Sequence, residues 1–389
     1  MDAAGDQTFD HGAPAGLFDA ATAAAHAHAG DWFPDLDVSR LETDVALLSA
    51  RPRCILHRMT LRDGGDPRQV VIKVRHSDPA LRRLDRFEDE RPHLSPQRLM
   101  SDEDTAAREF HGLTSLASAA DSGDPTRVGV LRPLAHLPGH AALILDLADD
   151  PTLRSRLLRT SRLRPRRRKP AMPDTAWSNA GMGLRAFHDH TSTDDLPTRI
   201  AAWKDVRELI DAYTGFLSSR APGRGTSALL EDFRRVSDHL AASDLLDRLP
   251  LAAGHGDFVA NNMFASSTGR ITIFDPLIEW AVPRYLDLAI LTMSLRLLPI
   301  QTASQGLALS TIDLDRYEAA ALRGYFGKEV PYPAVRTFQL LVLLDRWSRL
   351  VSKTPATGVV QPQVRAARVR LATRHVRREG RRLLSRLDV

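Results

Sequence analysis

Three polar side chains, those of His255, Asp257 and Asn262, stand close together among glycine, alanine and apolar neighbours in residues 251–275, LAAGHGDFVANNMFASSTGRITIFD. A short apolar run follows, Met263-Phe264-Ala265, then a turn cluster from Ser266 to Gly269, then a β-branched run from Ile271 to Phe274 that stops at Asp275. Two apolar runs about a glycine-containing turn predict a hairpin. Such a hairpin brings Asn262, at the start of its first strand, beside Asp275, at the end of its second, with Asp257 one loop away. Two carboxylates and an amide at a hairpin mouth are hard oxygen donors of the kind that suits magnesium.

The order His-x-Asp-x4-Asn, apolar strand, Asp resembles the catalytic and metal loops of the kinase superfamily. With Gly256 and no arginine before Asp257, the wording resembles the aminoglycoside phosphotransferase and choline kinase branch and not the protein-kinase branch. Downstream, Pro283-Arg284-Tyr285-Leu286-Asp287-Leu288-Ala289 resembles that family's Tyr-x-Asp-Leu/Ile-Ala helix start. The resemblance covers roughly residues 40–350. It implies an α+β, bilobal, protein-kinase-like fold with a small β-rich lobe and a larger helical lobe. It also implies ATP-dependent phosphorylation of a hydroxyl on a small molecule: a sugar, a sugar derivative, an amino alcohol or an aminoglycoside-like compound.

Phosphoryl transfer asks more of positioning and charge neutralisation than of covalent chemistry. On the resemblance, Asp257 accepts a hydrogen bond from the acceptor hydroxyl and orients it. Asn262 and Asp275 hold the Mg2+ that bridges the phosphates. His255 braces the loop by hydrogen bonds, and Asp287 caps its helix or ties the loop to the lobe. Glu279, four residues past Asp275, is the expected acidic contact to substrate.

The elements that position these residues begin with three expected strands, Val38 to Leu48, Cys54 to Arg62 and Gln69 to Val74, with Asp63 to Pro67 as a turn. Lys73 interrupts the apolar run of the third. By alternation it points to solvent; by resemblance it is the lysine that holds the α- and β-phosphates of ATP. Its expected partner is Glu109, on a helix opening near Thr105; Glu103 and Asp104 fit the helix N-terminus instead. Between the first two strands the segment Leu48 to Arg53 contains no glycine. Either Ser49 and the backbone of Ala50 approach the phosphates, or the loop is rigid and binds ATP weakly. Two further strands are expected, Val128 to Leu131 and Ala141 to Asp146; the second, with Leu145 and Leu147, resembles the hinge whose backbone meets adenine. Trp177 to His190 reads as a helix with His188 as a buried structural residue, and helices are expected at 201–218, 226–241, 290–298, 314–325 and 334–350.

The predicted division is an N-terminal extension over 1–37, an N-lobe over 38–148, a helical C-lobe over 149–350 and a basic C-terminal helix over 351–389. The extension reads as loosely ordered, with AATAAAHAHAG over residues 20–30 as the alternative helical fragment, and its His11, His26 and His28 lack a frame for metal binding. The chain of 389 residues is 43% hydrophobic and 26% charged, ordinary for a soluble protein, and carries one cysteine, Cys54, which excludes an internal disulfide. No signal peptide or membrane span is legible, so a cytoplasmic location is expected.

The net charge of +5 is unevenly spread. Residues 154–169 hold nine basic residues and no acid; residues 346–389 hold twelve basic residues against Glu379 and Asp388. The first segment reads as a solvated loop or as a polyanion contact. The second reads as a basic amphipathic helix with a stripe at Val364, Ala367, Leu371, Val376, Leu383 and Leu387. Such a helix either docks on the lobe or meets an anionic partner or membrane surface through 364–386; nucleic acid is not expected. Arg284, Arg296, Arg336, Arg346 and Arg349 weigh against the acids that follow Asp275, so a neutral or anionic acceptor is expected over a polycation. The alternative to an enzyme is a pseudokinase-like protein that binds nucleotide or a partner with little turnover.

Overall fold

The computed structural model describes residues 14–51, 54–76, 91–94, 100–121, 124–163, 172–221, 224–242, 248–352 and 362–387. The chain is α+β and divides into two units. The first comprises Met1–Arg82, Leu99–His111 and Leu131–Ala148; the second comprises Arg83–Arg98, Gly112–Val130 and Asp149–Val389.

In chain order the first elements are α1 (Leu17–Trp32), β1 (Glu42–Arg51), β2 (Cys54–Arg62), β3 (Arg68–Arg75), α2 (Asp102–Asp121), β4 (Val128–Val130), β5 (Pro133–Leu137) and β6 (Ala142–Asp146). The first unit is built on an antiparallel sheet in the order β1-β2-β3-β6-β5. Alternation along β3 gives it two faces. Val70, Ile72 and Val74 turn into an apolar core that they share with Leu17, Ala21, Ala25, Ala29 and Trp32 of α1. Lys73 and Arg75 take the other face.

Helix α1 replaces the loosely ordered reading over Leu17–Trp32 and contains the helical fragment AATAAAHAHAG, the alternative to it. Its buried residues recur every three or four positions, and alanine at three of them gives a smooth stripe that packs with the sheet. His26 and His28 are exposed on it, and His11 lies outside the described residues. The first strand begins at Glu42, later than expected, because Val38–Arg40 forms a 3-10 turn in which Asp37 accepts from the Ser39 N–H at 3.1 Å. Strand β5 was not expected; it is short and opens on proline, which is tolerated at the first position of an edge strand.

The second unit contains α3 (Leu153–Arg159), α4 (Asp174–His190), α5 (Trp203–Arg220), α6 (Arg224–Ala242), β7 (Leu251–Ala253), β8 (Met263–Ala265), β9 (Ile271–Ile273), β10 (Ala281–Pro283), α7 (Tyr285–Arg296), α8 (Pro299–Ala303), α9 (Thr311–Phe326), α10 (Tyr332–Ser352) and α11 (Pro362–Leu384). Strand β7 pairs with β10, and β9 lies between antiparallel β8 and parallel β4. Trp177, Phe187, Phe258 and Tyr317 anchor one core around these strands, and Tyr213, Phe233, Phe338 and Trp347 anchor a second among the helices. Helices α4 and α9 approach closely because Gly181 meets the Ala321 carbonyl and Gly324 meets that of Ser178, where any Cβ would collide with backbone.

Helix α11 docks on this unit. Ala372, Val376 and Leu383 are buried, while Leu371, expected in the stripe, is exposed one residue off that face. Arg382 and Arg386 both reach Asp315, at 3.3 and 2.6 Å. No helix among the described residues is long and apolar enough to cross a membrane.

Candidate active site

The loop between β7 and β8 is held at both ends by backbone bonds. The Gly254 N–H donates to the Trp280 carbonyl, and the Leu277 N–H donates to the His255 carbonyl, both at 2.9 Å. Gly256 takes φ of 81°, and a Cβ there would lie 2.7 Å from the Leu277 carbonyl oxygen. A side chain at this position is therefore excluded both by conformation and by space. The turn exposes the next residue, Asp257.

A 3-10 turn, Ala260–Asn262, then leads into β8. The Asn262 amide nitrogen donates to the Asp257 carbonyl and to its carboxylate Oδ2, both at 2.9 Å. Its nitrogen is thereby occupied, and the amide oxygen is the end left to meet a cation. On the opposite strand the Phe274 N–H donates to the Asn262 carbonyl at 3.1 Å, and Met263 pairs with Ile273. The hairpin thus sets Asn262 one residue from level with Asp275. Asp275 has φ of 62°, in the left-handed region, and ends the strand there.

His255 lies at the centre of the support. Its side chain is fully buried, packed edge-on against Phe258 and Phe187 with ring centroids 5.2 and 6.0 Å away. Neither ring nitrogen finds a hydrogen-bond partner among the described residues, so the bracing expected of the ring runs through the backbone instead. The His255 N–H donates to Asp287 Oδ2 at 2.8 Å. The same oxygen lies 3.2 Å from His188 Nε2, and His188 Nδ1 is 2.7 Å from the Tyr325 hydroxyl. Asp287 thus ties the loop to α7 and does not cap it; the residue before the helix is Arg284, with no side-chain cap. Burial pushes the His255 ring pKa down, more than the Asp287, Asp257 and Asp275 carboxylates raise it. Burial pushes Asp287 up, but the hydrogen bond from His188 and the charges of His188 and His255 leave it below its ordinary value.

In the first unit, Lys73 Nζ lies 2.6 Å from Glu109 Oε1. Arg75, two residues on and on the same face of β3, donates to Glu109 Oε2 through Nε at 2.9 Å and also through Nη2. Glu109 is 1% exposed, so one buried carboxylate holds two cations. Arg75 was not singled out in the sequence, although the period of two along a strand carries that signal. Glu103, a weaker candidate for Lys73, instead accepts from the Ala141 N–H at 2.8 Å and lies 3.1 Å from His136.

Leu145 is buried on β6 opposite Val71. The Leu147 N–H donates to the Asp146 carboxylate at 3.0 Å, and the Asp146 N–H donates to the Arg132 carbonyl at 3.0 Å. Ser49 lies in β1 beside an irregularity in the β1–β2 register between Leu47 and Ser49, and Leu47 and Leu48 are exposed there. The ladder runs on to Arg51 paired with Cys54, and Pro52 and Arg53 lie outside the described residues. Glu279 is half-buried, two residues beyond the Leu277 that bonds His255.

Over most of its length the chain is similar to solved structures of small-molecule kinases. An ethanolamine kinase from Plasmodium vivax is 10% identical with a TM-score of 0.47, covering 96% of this chain and 93% of that one. A choline kinase from Cryptosporidium parvum is 10% identical with a TM-score of 0.47, covering 94% and 95%. A microcompartment-associated aminopropanol kinase is 13% identical with a TM-score of 0.46, covering 92% and 97%. No family model and no curated protein sequence matches the chain.

Among the described residues no group of three or more His, Cys, Asp or Glu is assembled to hold a metal. The hairpin mouth offers two protein oxygens, from Asn262 and Asp275. That donor set fits a magnesium ion completed by phosphate oxygens and water, and does not fit an all-protein cage.

Proposed function

We propose that the protein is an ATP- and Mg2+-dependent phosphotransferase acting on a hydroxyl of a small molecule. The observation that carries this reading is the bond from the Asn262 amide to Asp257. It fixes an exposed carboxylate and turns an amide oxygen to one side of it, at the mouth of a hairpin that ends in Asp275. Asp257 accepts the hydrogen bond of the acceptor hydroxyl and takes its proton as the oxygen attacks the γ-phosphorus. The bond to the β,γ-bridging oxygen breaks, and ADP leaves. Asn262 and Asp275 hold Mg2+, which neutralises the phosphate charge. Lys73, kept in place by Glu109, contacts the α- and β-phosphates. The backbone at Leu145 and Leu147 is proposed to meet adenine, Ser49 to approach the phosphates, and Glu279 to touch the acceptor. The exposed arginines of α11 and the basic segment 154–169 are proposed to contact an anionic partner or membrane surface.

The test is ADP release across a panel of hydroxyl compounds, with nucleotide binding measured in parallel. Asp257→Ala is expected to abolish transfer and keep ATP affinity within about threefold, because the base touches the acceptor and not the nucleotide. Turnover by that variant at the wild-type rate removes Asp257 from the mechanism. Nucleotide binding with no transfer to any acceptor in the wild-type protein favours the pseudokinase reading, for which the glycine-free β1–β2 hairpin is the supporting feature.

A further inference from the structure

The arginines that follow Asp275 are not equivalent. Arg296 pairs with Glu318 and Asp315, Arg336 with Glu318, Arg284 with Asp189 at 2.6 Å, and Arg349 with Asp345 at 2.9 Å. Several of the acids are consumed in the same pairs. Asp345 is shared by Arg91 at 3.0 Å, the Tyr213 hydroxyl at 2.9 Å and Arg349, and Asp313 lies 3.4 Å from Arg316. Asp287 is committed to His188 and His255. Of the arginines at 284, 296, 336, 346 and 349, Arg346 remains: its guanidinium makes no hydrogen bond or ion pair with any described residue.

Its place in the fold makes that meaningful. On α10, Val335, Gln339, Val342 and Arg346 recur at intervals of four, three and four and so form one stripe. The first three are buried, with Gln339 donating to the Thr292 hydroxyl of α7 at 2.8 Å, while Arg346 is solvent-exposed between buried Asp345 and Trp347. Helix α7 is the element whose first turn carries Asp287 and holds the Asp257 loop. Surrounding protein, then Arg349, depress the Arg346 pKa while the carboxylates of Asp345 and Asp257 raise it. An unpaired guanidinium within electrostatic reach of the exposed Asp257 leaves its N–H donors open to an anionic group on a substrate, and such charge-assisted bonds are stronger than neutral ones.

We propose that Arg346 binds an oxyanion on the acceptor, so that the substrate class is a hydroxylated carboxylate or a hydroxylated phosphate ester. This rests on Asp257 acting as the base for phosphoryl transfer. A guanidinium forks onto either oxyanion with two N–H donors, and it repels an amine. The structure thereby narrows the acceptor from neutral or anionic to anionic.

The experiment uses the full chain with ATP and magnesium and a matched set of acceptors on one carbon skeleton: glucose, gluconate, glucose 6-phosphate and glucosamine. ADP release gives kcat and KM, and thermal shift at millimolar acceptor gives binding without turnover. Gluconate or glucose 6-phosphate is expected to exceed glucose in kcat/KM, or in stabilisation, by at least tenfold in effective affinity, and the two anions separate carboxylate from phosphate recognition. Arg346→Gln is expected to collapse the anion-to-neutral preference at least tenfold, chiefly through KM, with Arg346→Lys restoring part of it. Preference for glucosamine or glucose, or an anion preference unchanged in Arg346→Gln, overturns the proposal while leaving the phosphotransferase reading intact. Absence of both transfer and stabilisation by either anion overturns it as well. Transfer that survives Asp257→Ala overturns the mechanism beneath it.

Discussion

Asp287 Oδ2 receives the His255 backbone N–H at 2.8 Å while it stands 3.2 Å from His188 Nε2, so one buried carboxylate oxygen joins the Asp257 loop, α4 and the first turn of α7. The join explains how a loop carrying an exposed Asp257 stays in one conformation. His255, two residues before Asp257, is fixed at its backbone from one side and packed at its ring from the other.

Asp287→Ala is therefore expected to damage both fold and activity. It orphans a buried N–H and a buried imidazole, a loss on the order of 3 kcal/mol for breaking a buried hydrogen-bonded pair. Denaturant unfolding measures it, with ADP release on the same sample. A stability change below about 1 kcal/mol means that the loop is held by something else.

Stability is also expected to fall as pH drops below neutrality. His57, His255 and His375 all have ring pKa values lowered by burial. A group whose folded pKa lies below its unfolded value takes up its proton first in the unfolded chain. The unfolded state is therefore favoured as pH falls through about 6.5 and down to the folded value, by about 1.4 kcal/mol per pH unit for each such group. His255→Phe removes one of them and, because neither ring nitrogen has a partner among the described residues, breaks no side-chain hydrogen bond there. The slope of unfolding free energy against pH just below 6.5 should become shallower, by at most one proton. An unchanged slope assigns the acid sensitivity elsewhere.

The hairpin was legible because its signals are local. Apolar residues lie on both sides of a turn ending in Gly269, and the register that sets Asn262 close to Asp275 follows from the length of that turn. The Lys73–Glu109 pair needed the family resemblance, since 36 residues separate its members. Arg75 needed only the strand period and was passed over. The alanines of α1 suggested a helical fragment but not its extent or docking, because a burial stripe of alanines carries little hydrophobic contrast. The pairing of β4 with β9 joins Val128 to Ile271 and leaves no local trace. Arg346 could be counted among five arginines in the sequence, but that it alone lacks a partner among them depends on pairings such as Arg336 with Glu318, which only the fold supplies.

The Glu109 carboxylate, not either cation, is expected to carry most of the stability of its cluster. Glu109→Ala leaves Lys73 and Arg75 facing each other in a buried site, at a cost of about 3 kcal/mol. Lys73→Met leaves the Arg75 pair in place and should cost less than half of that, while raising the KM for ATP at least tenfold. If Lys73→Met is the more destabilising of the two, Glu109 is held chiefly by lysine, and the contribution of Arg75 is minor.

Truncation of α11 is a poor probe of membrane contact, because Val376 and Leu383 are core and Arg382 and Arg386 hold Asp315. The exposed Arg370, Arg374 and Arg381 can be reversed without touching that interface. The Arg370→Glu, Arg374→Glu, Arg381→Glu variant is expected to keep its unfolding midpoint and to lose at least tenfold in affinity for phosphatidylserine vesicles, at about 1 kcal/mol per basic residue near the surface. Equal vesicle binding by both proteins retires the anionic-surface role of this helix.

Asp275 is held at φ of 62°, a conformation that costs a non-glycine residue on the order of 1 kcal/mol. Such strain persists where the side chain is needed, and the metal-ligand role proposed for Asp275 is such a need. Asp275→Gly and Asp275→Ala both remove the carboxylate, but only glycine relieves the backbone. At an unstrained position alanine is the more stable choice, because glycine adds disorder to the unfolded chain. Here the order should invert, with the glycine variant more stable than the alanine variant by about 1 kcal/mol. In both, nucleotide affinity should no longer rise with added magnesium, measured by titration at fixed nucleotide. An alanine variant equal to or above the glycine variant in stability would show that the left-handed turn is not strained. A retained magnesium response in either would show that Asp275 is not the ligand.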